Sequence, residues 1–287
     1  MHDVIIIGTG PAGISAGIYT SRARLQTLVI GESGGALSKA DKIENYYGFS
    51  TPVSGEKLIA DGILQAQRFG AQILSDQVVN IGYEEGFTVK TNNNEYRGQS
   101  VIIATGSNRT APKIEGFTRF EGQGISYCAT CDAFFYKGKD VAVLGCCEYA
   151  LHEAIELLPI VKSVTLLTNG VRAIPEIPKE VQIIESEIAS FEGEETLCSV
   201  KFLDGSALNV AGVFVAIGVA GSSDLAKKLG AETEGLKIVV DENMATNIPG
   251  LYAAGDCTGG KMQIAKAVYQ GAVAGMEVIK YIRKQKP

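Results

Sequence analysis

The sequence predicts an α/β protein built as two Rossmann-like three-layer domains, and three observations carry that prediction. The apolar run Val4-Ile5-Ile6-Ile7 passes directly into Gly8-Thr9-Gly10-Pro11-Ala12-Gly13. A strand-then-glycine pattern returns at 139–145 and again at 213–218. With 287 residues, the chain is long enough for about two domains, each burying its own core.

A continuous apolar run fits a parallel strand covered on both faces. In the turn that follows, Gly8 permits a tight bend and Gly10 admits a pyrophosphate to the backbone. Gly13 lets the next helix pack against the strand. Ile14 to Tyr19 read as that helix and residues 25–30 as a second strand. Glu32 then falls about 20 residues past the glycine turn, where a carboxylate can hydrogen-bond a ribose. Strand, glycine turn, helix, strand and carboxylate in this order predict a nucleotide site.

Gly34-Gly35-Ala36-Leu37 and Asn45-Tyr46-Tyr47-Gly48-Phe49 read as loops beside that nucleotide. A helix is expected over 56–69, and short strands over 73–102 with a break at Asn92-Asn93-Asn94. The run from Ser100 to Ala104-Thr105-Gly106 is a buried strand ending in a small-residue turn, and Pro112 opens a crossover. Residues 139–145 repeat the strand and turn, 150–158 read as a helix stopped by Pro159, and 164–167 as the next strand. The ending at 213–218 resembles the one at 100–106, so two related halves are expected. After 241 comes Leu251-Tyr252-Ala253-Ala254-Gly255-Asp256, in which Asp256 can bond a ribityl hydroxyl or orient an amide. A helix from about Gln263 to Ile282 follows, its N-terminus able to direct amides at the electron-rich end of a ring. The first domain is therefore expected in two pieces, 1–112 and 244–287, around an inserted domain at 113–243.

Composition narrows the function. Apolar residues make up 46% and charged residues 20%, as in an ordinary globular protein. A net charge of -6 argues against a dominant nucleic-acid surface. No stretch supplies the roughly 20 apolar residues of a membrane span, and the start has no signal-peptide pattern. A cytoplasmic location is expected, where cysteines are usually reduced, catalytic or buried. Of the six, Cys128 and Cys131 lie in Cys128-Ala129-Thr130-Cys131-Asp132. Such a pair can form a small disulfide or supply half a metal site. A metal site needs two more nearby ligands. Cys146 and Cys147 are adjacent, and Cys198 and Cys257 isolated, so redox chemistry is the favoured reading and no metal is expected.

These stretches together resemble the low-molecular-weight thioredoxin reductases over essentially the whole chain. The resemblance rests on Gly8 to Gly13, Glu32, Gly34-Gly35, Ala104-Thr105-Gly106, Cys128 to Asp132, Gly255-Asp256 and Gln263. It implies the fold of the glutathione-reductase-like pyridine nucleotide-disulfide oxidoreductases (class II), FAD in the outer domain, a homodimer, and thioredoxin as disulfide substrate. The FAD contacts implied are Gly8, Gly10, Pro11, Ala12, Gly13, Glu32, Gly35, Ala36, Leu37, Asn45, Ala104, Thr105, Gly106, Gly255, Asp256, Met262, Gln263 and Ile264. By the same resemblance Cys131 is the flavin-proximal sulfur, Cys128 the interchange thiol and Asp132 the proton donor or relay. A rotation of the domains about 112–117 and 241–246 is also implied.

Three departures stand out. Cys146 and Cys147 occupy positions where the family has two glycines, adding side chains where a phosphate needs the backbone. Thr168-Asn169-Gly170 replaces a His-Arg-Arg cluster that holds the 2'-phosphate of NADPH, leaving only Arg172 close by. Losing two charge-assisted hydrogen bonds costs on the order of 3–5 kcal/mol, a few hundredfold or more in affinity. Met262 stands where arginine is usual. The departures resemble the clostridial-type ferredoxin-dependent flavin thioredoxin reductases, which makes ferredoxin the expected electron donor and NAD(P)H the alternative. Lys137, Lys139, Lys261 and Lys266 are candidates to border a docking face for an acidic ferredoxin. Cys146 and Cys147 are expected to serve turn or core packing rather than regulation.

Overall fold

A computed structural model describes residues 1–32, 35–106, 112–127, 129–172, 177–217 and 221–285, apart from the side chains of Thr130 and Cys131. The chain divides into two compact units, Met1–Arg109 with Gly221–Pro287, and Thr110–Ala220.

The first unit opens with β1 (His2–Ile7), α1 (Pro11–Arg22), β2 (Thr27–Ile30), α2 (Gly55–Arg68) and β3 (Gln72–Leu74). β4 (Val78–Tyr83), β5 (Phe87–Thr91) and β6 (Glu95–Ile103) follow. Val4, Ile5, Ile6 and Ile7 are all buried, as a strand covered on both faces requires. α1 starts at Pro11, earlier than the expected Ile14, because proline presets the backbone of a first helical residue. Ser54 caps α2 by accepting from the Lys57 amide at 3.2 Å. The break at Asn92-Asn93-Asn94 is the β5–β6 turn, closed by the Thr91 amide on the Asn94 carbonyl at 2.8 Å.

The second unit holds α3 (Phe117–Phe120), β7 (Ile125–Ser126), α4 (Ala129–Asp132), β8 (Asp140–Leu144), α5 (Glu148–Leu157), β9 (Ser163–Leu167) and β10 (Val181–Ile184). It ends with β11 (Ile188–Gly193), β12 (Leu197–Phe202), β13 (Ala207–Asn209) and β14 (Gly212–Val215). The chain then returns to the first unit through α6 (Ser222–Lys228), β15 (Thr233–Glu234), β16 (Lys237–Ile238), β17 (Leu251–Ala253) and α7 (Ile264–Gln285).

The return comes at Gly221, well before the expected residue 244. The reason is local burial. Ser223, Asp224, Leu225 and Ala226 of α6 are each buried, and α6 packs on β4 and β16 of the first unit. Weak amphipathic signal in a seven-residue helix left this invisible in the sequence.

The units are built alike. In the first, the parallel strands run in the order β3-β2-β1-β6, with β17 continuing beside β6. In the second, the order is β10-β9-β8-β14-β7, all parallel. Each has an antiparallel excursion before its return strand: β4-β5 in the first and β11-β12-β13 in the second. β6 serves three partners: parallel to β1, antiparallel to β5 through Glu95–Gly98, and parallel to β17 through Val101–Ile103. Among the described residues, no helix is long and apolar enough to cross a membrane.

Candidate functional site

In the first unit, the turn after β1 is fixed by backbone contacts. The Gly8 amide donates to the Ile30 carbonyl at 2.7 Å, and the Ala104 amide to the Ile7 carbonyl at 2.7 Å. Gly8 sits at φ +118°, and a Cβ there would lie 2.3 Å from the Ala104 carbonyl oxygen, so only glycine fits. Gly10, by contrast, faces open space within 4 Å of the position a Cβ would take. A phosphate can approach the backbone there. Glu32 is exposed beyond β2, and its carbonyl accepts from the Thr9 hydroxyl at 3.0 Å. Gly35, Ala36 and Leu37 lead into a short 3-10 turn, where Ser38 donates to the Gly35 carbonyl at 3.0 Å.

The Ala104-Thr105-Gly106 turn is held by the returning chain. The Thr105 and Ser222 hydroxyls lie 2.6 Å apart, and Ser222 donates to the Gly106 carbonyl at 2.8 Å. Further on, the Gly255 amide donates to Gln270 Oε1 at 2.9 Å, and Lys266 donates to the Gly255 carbonyl at 2.9 Å and to the Gly259 carbonyl. Two α7 side chains thus shape the Gly255-Asp256 turn. Lys266 is half-buried and engaged with these carbonyls. Asp256 Oδ1 is buried without a hydrogen-bond partner among the described residues. Asn45 and Gln263, far apart in sequence, meet: Asn45 Nδ2 donates to Gln263 Oε1 at 3.3 Å. Met262 is 64% exposed, and Ile264 begins α7.

The second unit carries the cysteine turn. Cys128 and the side chain of Cys131 lie outside the described residues. Around them, Ala129 opens α4, and its amide donates to Glu153 Oε2 of α5 at 3.1 Å. Asp132 Oδ2 accepts from the Ser126 hydroxyl at 2.6 Å. Burial, and then the charge of Asp132, push the Tyr136 phenol up. Phe134 and Phe135 follow at 75% and 71% exposure. An aromatic pair left this bare beside a cysteine turn is a surface that a protein substrate can cover.

The turn after β8 copies the one after β1 in its first residue only. The Gly145 amide donates to the Leu167 carbonyl at 2.9 Å, and a Cβ on Gly145 would lie 2.2 Å from the Ala216 carbonyl oxygen. The next positions differ. Cys147 places its sulfur 3.9 Å from the Ala216 carbonyl, in the register where Gly10 leaves space. Burial, and then the neighbouring Cys147, push the Cys146 thiol up. The loop after β9 is committed to itself. Thr168 donates to the Val171 carbonyl, and Asn169 Oδ1 accepts from the Ile188 amide at 2.7 Å. A Cβ on Gly170 would lie 2.7 Å from Glu187 Cγ. Arg172 is exposed. Elsewhere, Cys257 is buried and donates to the Ile103 and Ala254 carbonyls; burial pushes its thiol up to about 12.

Two duplicated Rossmann-like units, one with an open glycine cradle and the other with a cysteine turn, define a flavin-linked disulfide oxidoreductase. The chain belongs to the pyridine nucleotide-disulphide oxidoreductase family, whose model matches residues 2–271. Among its relatives, the thioredoxin reductase of Aquifex aeolicus is 35% identical over 309 residues, covering 100% of this chain and 95% of that protein. The atypical thioredoxin reductase TRi from Desulfovibrio vulgaris Hildenborough has a structure similar at TM-score 0.91 and 40% identity, over 100% of both chains. The ferredoxin-flavin thioredoxin reductase from Clostridium acetobutylicum gives TM-score 0.70 and 33% identity over 99% of both chains.

FAD is the cofactor of this family, and the first unit fits it. Gly10 leaves room for a pyrophosphate, and the exposed Glu32 can take a ribose. The orphaned Asp256 oxygen supplies the acceptor that a ribityl hydroxyl would satisfy. Ser222, Gln270 and Glu153 were not foreseen from the sequence, because each acts on a turn distant in the chain. The adjacent phenylalanines after Asp132 could have been noticed.

Proposed function

We propose that this chain is a thioredoxin reductase that receives electrons from reduced ferredoxin rather than from NADPH. The carrying observation is the turn Gly145-Cys146-Cys147. It keeps the glycine that packs on the Ala216 carbonyl, yet puts a thiol side chain in the register that stays open at Gly10. A pyrophosphate needs that approach to the backbone. The loop after β9 agrees: Thr168 and Asn169 are spent on neighbouring backbone, and Glu187 lies against Gly170. A carboxylate there repels a 2'-phosphate. The similarity to the clostridial ferredoxin-flavin enzyme adds support.

Bound FAD supplies a two-electron store between a one-electron donor and a disulfide. In the proposed sequence, the Cys128 thiolate attacks the thioredoxin disulfide and forms a mixed disulfide. The Cys131 thiolate then attacks that bond, releases dithiol thioredoxin and closes Cys128–Cys131. Asp132 hands a proton to the departing thiolate, with Ser126 holding its other oxygen. Phe134 and Phe135 receive the protein substrate on their exposed faces. The proposal includes a cytoplasmic homodimer, supported by cysteine usage and by the full-length likeness to thioredoxin reductases.

Anaerobic mixing of the flavoprotein with NADPH, NADH or reduced ferredoxin tests the donor, with flavin bleaching and thioredoxin thiols followed together. Ferredoxin alone should drive both signals. Rapid bleaching by low-micromolar NADPH would return the protein to the nicotinamide-dependent class, the reading favoured by the retained Gly145.

A further inference from the structure

Helix α5 begins one residue after Cys146-Cys147 and so has lost the setting of a dinucleotide helix. It retains a buried acid. Glu153 is 2% exposed, on the face that also buries Tyr149, Ala150 and Ala154. A carboxylate is kept inside a protein only when hydrogen bonds satisfy it. Here the bond is specific: Glu153 Oε2 accepts from the Ala129 amide at 3.1 Å. Ala129 is the first residue of α4, whose opening amides have no acceptor within the helix. It is also joined directly to Cys128. Twenty-four residues separate the two partners, so α5 reaches across to fix the start of the cysteine turn, while Ser126 holds Asp132 at its end.

We infer that Glu153 is a positioning residue for the Cys128–Cys131 pair, acting through its hydrogen bond to the Ala129 amide. The inference rests on the reading of that pair as the redox centre. The carboxylate touches backbone, and its part is to hold the turn in the pose from which its sulfurs exchange. A hydrogen bond to a charged group is strong enough that its loss should slow disulfide opening about tenfold.

The test uses the FAD-loaded protein and two readouts. One is the rate at which dithiothreitol opens Cys128–Cys131, trapped by alkylation and read by mass spectrometry. The other is thioredoxin reduction, resolved into kcat and KM. Glu153→Ala should slow both rates about tenfold with KM and FAD content unchanged. Glu153→Gln keeps an acceptor oxygen at the same reach and should recover to within about twofold of the parent. Glu153→Asp keeps the charge but is one methylene short, and should stay slow. If Glu153→Ala does not fold, the Gln and Asp variants decide between them. Parent-like rates in Glu153→Asp or Glu153→Ala would overturn the inference. So would a Glu153→Gln protein as slow as the Asp variant, since an acceptor oxygen at the same reach would then not restore the turn. Cys128→Ser is run alongside: if it reduces thioredoxin at full rate, the redox reading itself fails, whatever Glu153 does.

Discussion

The Ser126 hydroxyl donates to Asp132 Oδ2 at 2.6 Å and so ties the edge strand β7 to the residue that follows Cys131. The bond holds one oxygen of the carboxylate proposed as proton donor. Asp132→Asn should therefore keep the fold and FAD but lower thioredoxin reduction by roughly a hundredfold, the scale of general-acid catalysis. Ser126→Ala should cost only a few-fold, since it loosens the acid without removing it. Steady-state turnover at saturating thioredoxin measures both.

Asp256 provides a direct test of the cofactor cradle. Its buried Oδ1 has no partner among the described residues, so its partner should come with the cofactor. Asp256→Ala should weaken FAD binding by roughly ten- to a hundredfold. The ratio of flavin to protein absorbance after dialysis reads this, with Cys198→Ser, an exposed thiol, as an inert control.

Gly8 and Gly145 occupy equivalent turns, each with a carbonyl 2.2–2.3 Å from where a Cβ would be. Their substitutions should diverge. Overpacking costs about 1–3 kcal/mol, so Gly8→Ala and Gly145→Ala should each lower Tm by several degrees. Only Gly8→Ala should also lose FAD. Equal flavin retention in the two variants would contradict the assignment of the cradle to the first unit.

Asp204 marks the acid limb of stability. Hydrogen bonds from Ser186, then Ser206, hold its carboxyl at about 2. Its folded value lies below the unfolded value of about 4, so the folded state binds fewer protons between the two. The contribution is present above about pH 4 and is lost as pH falls through about 2. Asp204→Asn should flatten the stability curve in that window and lower stability above about pH 4, neutral pH included, which denaturant titrations at graded pH would show.

Much of the architecture was legible because it is written in local patterns. Val4 to Ile7 could only be a doubly covered strand, and Gly8 to Gly13 could only be its turn. Asn92 to Asn94 marked a hairpin, and Pro159 bounded α5. The segment after residue 220 was misplaced because its allegiance depends on which core buries Leu225 and Ala226, and periodicity in seven residues does not say.

Residue type alone determined the chemistry on offer: a glycine cradle, a carboxylate after the second strand, and two cysteines spaced for exchange. The chain order of these features made a flavin-linked disulfide enzyme the natural reading. Tertiary structure decided which groups are spent and which remain free. Lys266 reads as a surface cation and is bound to carbonyls; Glu153, which no sequence pattern singled out, is buried on the Ala129 amide. The physical reason is that a hydrogen bond across dozens of residues leaves no trace in local sequence, because only the folded backbone brings donor and acceptor within reach.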